Sequence, residues 1–173
     1  MSEASPSAAV YAFLDPLQRA LSCVTREVLD VRGGLYPTPE PHELRLGDGS
    51  PRPLRDTSGR PVHVFLQVAM RYRIVGADLS RAPWTTEVTA HMYTLADRDG
   101  SEILAYHWHP DGASEVVVPH LHLGHGAQIG HRGLTAAHLP TGLVTLTDIL
   151  RLVLDALDVA PLRPDWRAIL DMT

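Results

Sequence analysis

The sequence predicts an α+β fold, an antiparallel β-meander packed by an N-terminal helix and C-terminal helices, and three observations carry that prediction. Apolar residues recur at alternating spacings of three and four near both ends of the 173-residue chain, the period of a helix with one buried stripe. The middle of the chain alternates with period two, as half-buried strands do. Turn signals at Asp97-Arg98-Asp99-Gly100 and Pro110-Asp111-Gly112-Ala113 cut that middle into consecutive strands.

Residues 1–30 read as a helix because Val10, Leu14, Leu17, Leu21, Val24 and Val28 form one stripe. Ser5-Pro6 and Asp15-Pro16 are competing start signals, so the helix either kinks near Pro16 or begins there. Cys23 lies beside the stripe and reads as a packing residue. Residues 31–61 form a Gly/Pro-rich connection, interrupted by a strand-like His42–Leu46 and with an edge hairpin expected at Gly47-Asp48-Gly49.

Residues 62–123 form the antiparallel sheet, with strands expected at about Val62–Ile74, Thr85–Leu95, Glu102–His109 and Glu115–Leu123. Residues 124–173 supply a Gly-rich loop and the C-terminal helices. Thr145 and Asp148 suit a capping box with Asp in the Glu position, ahead of the stripe Leu146, Ile149, Leu150, Val153 and Leu157. Pro161 ends that helix, and a short last helix around Pro164–Leu170 is placed to dock through Trp166 and Leu170.

With 45% hydrophobic and 20% charged residues, the chain suits a single domain spanning 1–173. A net charge of -5 argues against coating nucleic acid by bulk electrostatics. The single cysteine excludes an internal disulfide and Cys-rich zinc motifs. No stretch has the character of a signal peptide or of a membrane-spanning helix, so a cytoplasmic protein with no membrane partner is expected.

Histidine is the unusual feature: seven of the ten fall between His107 and His138. Residues 100–142 hold three acidic residues and one arginine, so protonating those histidines would turn that segment from -2 to +5 around an unperturbed pKa of roughly 6.5. A tight hairpin at 97–99 would pair His91 with Ala105, Thr89 with His107 and Glu87 with His109. A tight hairpin at 111–112 would pair His107 with Val116 and Ile103 with His120. Strand parity then collects Glu87, Thr89, His91, His107, His109, His120 and His122 on one face, opposite an apolar face for the helices. Arg71 and Arg73 join the histidine face if their strand runs in the same sense.

Histidines, arginines and one carboxylate are the parts needed for metal-independent RNA cleavage. In this first reading His107, His109, His120 and His122 supply acid and base, Glu87 orients a histidine, and Arg71, Arg73 and His91 hold substrate. The loop bearing His131 and Arg132 adds to the substrate side, its glycines admitting a phosphate close to the backbone. His138 either closes the site or is structural, and the isolated His42 and His63 read as solvated or packed.

The second reading is a zinc or iron site on a small β-rich scaffold, loosely similar to cupins in His107-x-His109 followed by Glu115. Each His-x-His pair can chelate, and Glu87 or Glu115 could add an oxygen ligand. Under the hairpin register the pairs are offset by about four residues, roughly 13 Å at strand rise, so one ion held by His107, His109, His120 and His122 requires a different register. A third reading is a non-catalytic protein-binding module. For each histidine singly, a solvated strand position is the plain structural explanation.

The block Tyr106-His-Trp-His-Pro110, then Pro119-His-Leu-His-Leu-Gly124, then His138-Leu-Pro-Thr-Gly142 and the helix Thr145–Leu157 resembles the TumE-type bacterial toxin family over about residues 62–158. Trp108-His109 stands where that family carries Asp-Asn. The resemblance implies a toxin-antitoxin component with a small helix-turn-helix antitoxin as partner; RNA as substrate rests on the residue argument above.

Overall fold

The computed structural model describes residues 3–56, 58, 61–78, 81–111, 115–130 and 132–173, with the side chains at 61–63, 77, 78, 81, 82 and 132 outside that description. Its spine is a pair of long strands, β4 (Pro61–Asp78) and β5 (Arg81–Ala96). Around them stand β1 (Leu29–Arg32), β2 (His42–Leu46), β3 (Arg52–Arg55), β6 (Glu102–Trp108), β7 (His120–Leu123) and β8 (Leu139–Pro140). All pairings are antiparallel in the order β1-β2-β4-β5-β6-β7-β8, with β3 also on β4.

Helices α1 (Pro6–Leu21), α3 (Leu146–Ala156) and α4 (Trp166–Asp171) supply core residues that pack with one face of this sheet, giving the expected α+β architecture; α2 (Arg132–Thr135) is a single turn near β7. The period-two pattern of β4 is realised directly: Leu66, Val68, Met70, Tyr72 and Ile74 are buried in the common core. None of the helices among the described residues is long and apolar enough to cross a membrane.

The helix ends match the chemistry of their caps. Ser5 caps α1 by accepting from the Ala8 amide at 3.1 Å, so the earlier start signal prevails. The helix runs through Pro16, whose missing N–H forgoes the bond to the Ala12 carbonyl. It stops at Leu21, before Val24 and Val28, and the chain turns into β1. Thr145 and Asp148 form the capping box expected for α3, with the Thr145 amide donating to Asp148 Oδ2 at 2.8 Å. Trp166 and Leu170 are buried as expected for the last helix.

Three expectations of register fail, each for a local reason. No hairpin forms at Gly47-Asp48-Gly49. Instead β2 and β3 lie end to end along β4, Glu43 opposite Arg71 and Pro53 opposite Phe65. Gly47 and Gly49 take φ of 56° and 92° to make the step between them, in the left-handed region that a side chain disfavours.

Between β5 and β6, the turn closes on Ser101 rather than residue 99. Asp97 accepts from the amides of Asp99 and Ser101 through Oδ1, and its own amide donates to the Ser101 carbonyl. That change alone is even and keeps the faces, but the ladder then skips Ile103, Ala96 facing Glu102 and Leu95 facing Leu104, so His91 faces Trp108 and Met92 faces His107, an odd shift in total that moves His91 to the other side of the sheet. A bulge in β5 reverses the change for the residues before it, since Arg71 opposes Ala90 but Tyr72 opposes Val88, leaving Thr89 unpaired in the ladder.

The third failure lies between β6 and β7. The tight hairpin at 111–112 is replaced by a long connection, and residues 115–119 are not strand. Pro110 and Pro119 bracket this connection, and a residue without an N–H cannot extend the ladder inward.

Candidate metal centre

That longer connection builds the site. With β6 and β7 resuming pairing only at its ends, His107 lies directly opposite His120 and Ala105 opposite His122. The two His-x-His pairs therefore meet at His107 and His120, staggered by two residues rather than separated. Period two points His107 and His109 to the same side of the sheet, and His120, opposite His107, and His122, opposite Ala105, share it. This is the face away from the helices.

The fifth histidine arrives by the pairing of β8 with β7. Leu139 opposes Leu121, Pro140 opposes His120, and the Thr141 amide donates to the Pro119 carbonyl at 2.9 Å. His138 is thereby held with its ring centroid 4.3 Å from His122 and 5.1 Å from His120. Further centroid separations, among them His107 to His122 at 4.9 Å, His120 to His122 at 4.9 Å and His109 to His120 at 5.4 Å, complete one continuous cluster.

Within it two triads have their ligating nitrogens all within 4.8 Å of one another: His107, His109 and His120, and His120, His122 and His138. Among the described residues these groups contain histidines only, so neither Glu87 nor Glu115 adds an oxygen ligand.

The inner triad carries two orphaned nitrogens. His120 is 1% exposed, and its Nδ1 lies 2.8 Å from the Val118 carbonyl. A carbonyl only accepts, so Nδ1 carries the proton and Nε2 of the neutral ring carries the lone pair. That Nε2 is buried with no hydrogen-bond partner, and so is Nε2 of His107. Buried polar atoms are seldom left unpaired, and an imidazole lone pair facing other imidazole nitrogens is a ligand arrangement.

Two histidines of the cluster are biased towards the unprotonated form. Burial, followed by the neighbouring His122, His120, His109 and His138, pushes the His107 pKa down to about 4. Burial, followed by His138, His120 and His109, holds His122 below the ordinary histidine value. Three neutral imidazoles suit zinc, copper, iron or nickel, and a three-histidine set leaves a further coordination position for water or substrate.

The other expected site residues are distributed as follows. Arg71 lies on the outer face and, with His107, His109, Arg45, Ala69 and Ala90, lines a groove of about 490 Å³. Arg45 is held by Glu43 at 2.6 Å, whereas Arg71 is exposed and makes no ion pair among the described residues.

Arg73 is exposed on the same face but donates to the Pro39 carbonyl at 2.7 Å. Glu87 stands opposite Arg73, five residues along β5 from the Met92 that faces His107, about 16 Å at strand rise. It cannot orient a histidine of the cluster. His91 is a second correction: it is buried on the helix side, stacked on Tyr93 at 4.7 Å and tilted against Trp108 at 5.9 Å.

His131 and the Arg132 side chain lie outside the described residues. His42 is packed, stacked on Tyr72 at 5.2 Å, and the His63 side chain is among those outside the description. His138 is the histidine that the sequence left open between site and structure, and its only signal was proximity to the C-terminal helix. No protein-family model, curated protein or solved structure matches the chain.

Proposed function

We propose that this protein is a metal-dependent enzyme that holds a single first-row transition-metal ion, zinc or iron(II), through His107, His109 and His120. It acts on an anionic ester, a phosphoester in the first instance, lying in the adjoining groove. The observation that supports this most strongly is the pair of buried, partnerless Nε2 atoms of His107 and His120 beside the third ligand. Three neutral ligands leave the full charge of a divalent ion in place. Such a centre lowers the pKa of bound water towards about 7 and polarises a phosphoryl oxygen.

The groove supplies the other half of the reading. His107 and His109 stand at one end, and Arg71 projects from the second strand across, its guanidinium suited to bind a phosphate oxygen. The test combines metal analysis of the purified protein with assays of phosphodiester and RNA hydrolysis before and after chelation. One bound ion per chain, with hydrolysis lost on chelation and restored by the metal, is expected. A protein that binds no transition metal after exposure to zinc and iron(II) overturns the proposal.

Metal-independent RNA cleavage by a toxin-type protein is the second reading, favoured by the presence of Arg45 and Arg71 in the groove that His107 and His109 line. It has RNA as substrate and a small helix-turn-helix protein as partner. The same assays separate the two, because RNA cleavage that persists in chelator belongs to this second reading alone.

A further inference from the structure

We propose that His122 and His138 are a loading site, through which the ion passes to the inner triad by way of His120. This rests on the metal-binding reading above and adds a route to it. The two triads share one residue, and that residue has one nitrogen to give. Because His120 Nδ1 is committed to the Val118 carbonyl, Nε2 alone is free to ligate. Two ions cannot both hold His120, so the triads are successive positions of one ion and not a dinuclear pair.

The order of the positions follows from exposure. His138 is exposed, His122 is half-buried and His120 is buried, while Nε2 of His107 has no access to solvent. An aqueous ion meets His138 and His122 first. Their rings lie 4.3 Å apart, and both lie within 5.1 Å of His120, close enough for His120 to bind before either outer ligand departs. The outer pair is then exchanged for His107 and His109, at 5.7 Å and 5.4 Å from the same ring. Each step replaces one neutral nitrogen donor by another, so no proton or electron has to be supplied. The arrangement also keeps the ion coordinated throughout, which avoids stripping its water shell in one step against a buried site.

The experiment uses metal-free full-length protein and cobalt(II), whose absorption reports both the rate of binding and the ligand set. His122→Ala with His138→Ala should slow loading and release together by at least about tenfold, the lower end of what ligand-supporting residues contribute. Equilibrium affinity and the final spectrum should stay those of the unaltered protein. His109→Ala, in contrast, should weaken equilibrium binding and change the final spectrum. Thermal unfolding of each metal-free variant checks that the fold is kept, and the two single variants substitute for the double one if it is not.

Loading at the unaltered rate in the outer variants overturns the relay while leaving the metal centre standing. An equal loss of affinity in outer and inner variants also overturns it, since all five histidines would then hold the resting ion. Two ions per chain contradict the single-nitrogen argument. Failure of the unaltered protein to bind cobalt removes the metal reading and the relay with it.

Discussion

Replacing His91 with Phe tests the sheet register through pH. His91 is 6% exposed, its ring sandwiched beside Tyr93 and Trp108, and burial pushes its pKa from 6.5 down to about 4. The unfolded chain, where this histidine titrates near its ordinary value, therefore binds the proton more readily than the folded one. Stability is fully present above about pH 6.5 and declines as the pH falls towards 4. For one group moving from 6.5 to about 4, the loss between pH 7 and pH 5 is about 2 kcal/mol.

Phe keeps the aromatic packing and removes the titration. Urea unfolding of metal-free protein at a series of pH values is the assay, with the midpoint and slope both fitted. His107 titrates in the same direction in metal-free protein, so the quantity to read is the difference between the unaltered protein and H91F. The unfolding free energy of the unaltered protein minus that of H91F should fall by about 2 kcal/mol from pH 7 to pH 5. Parallel pH profiles for the two proteins would refute the placement of His91 on the helix side, because an exposed histidine has no such penalty to lose.

Three further outcomes follow from single contacts. Thr145→Ala removes the oxygen that accepts from the Asp148 amide at 3.2 Å and should cost about 1 kcal/mol in urea unfolding. Gly124→Ala places a Cβ against the Glu102 backbone carbonyl, next to the β6 and β7 pairing. It should destabilise by about 1–3 kcal/mol and weaken metal binding, read by unfolding and by cobalt titration. Arg71→Ala should leave metal affinity unchanged while raising KM for a phosphodiester, as measured by steady-state kinetics with metal-loaded protein.

Local chemistry was legible in the sequence, and pairing across turns was not. The alternation of Leu66 to Ile74, the Thr145 cap and the burial of Trp166 depend on neighbours a few residues away. The placement of His91 depends on where the turn after Asp97 closes and on the extra residue at Ile103 in β6. The turn moves the pairing by an even number, and it is the single extra residue of the bulge that makes the shift odd and exchanges the faces.

The histidine cluster survived this uncertainty because both β6 and β7 carry His-x-His, and a shift by an even number keeps their parity. Its closeness was hidden by the assumption of a tight turn after Pro110; pairing that waits until His120 brings the two motifs into contact. β1 escaped notice because Leu29–Arg32 is short and continues the apolar spacing of Val24 and Val28. The groove was only half legible, since Arg71 was expected there but its neighbour Arg45 required knowing that β2 lies along β4.

The central claim is most directly tested by diffraction from crystals grown with zinc, collected on both sides of the zinc absorption edge. A single anomalous peak at about 2.0–2.1 Å from Nε2 of His107 and His120, with His109 as third ligand, is the result expected. A peak located away from the inner triad, or none at the cluster in a protein saturated with zinc, would contradict it.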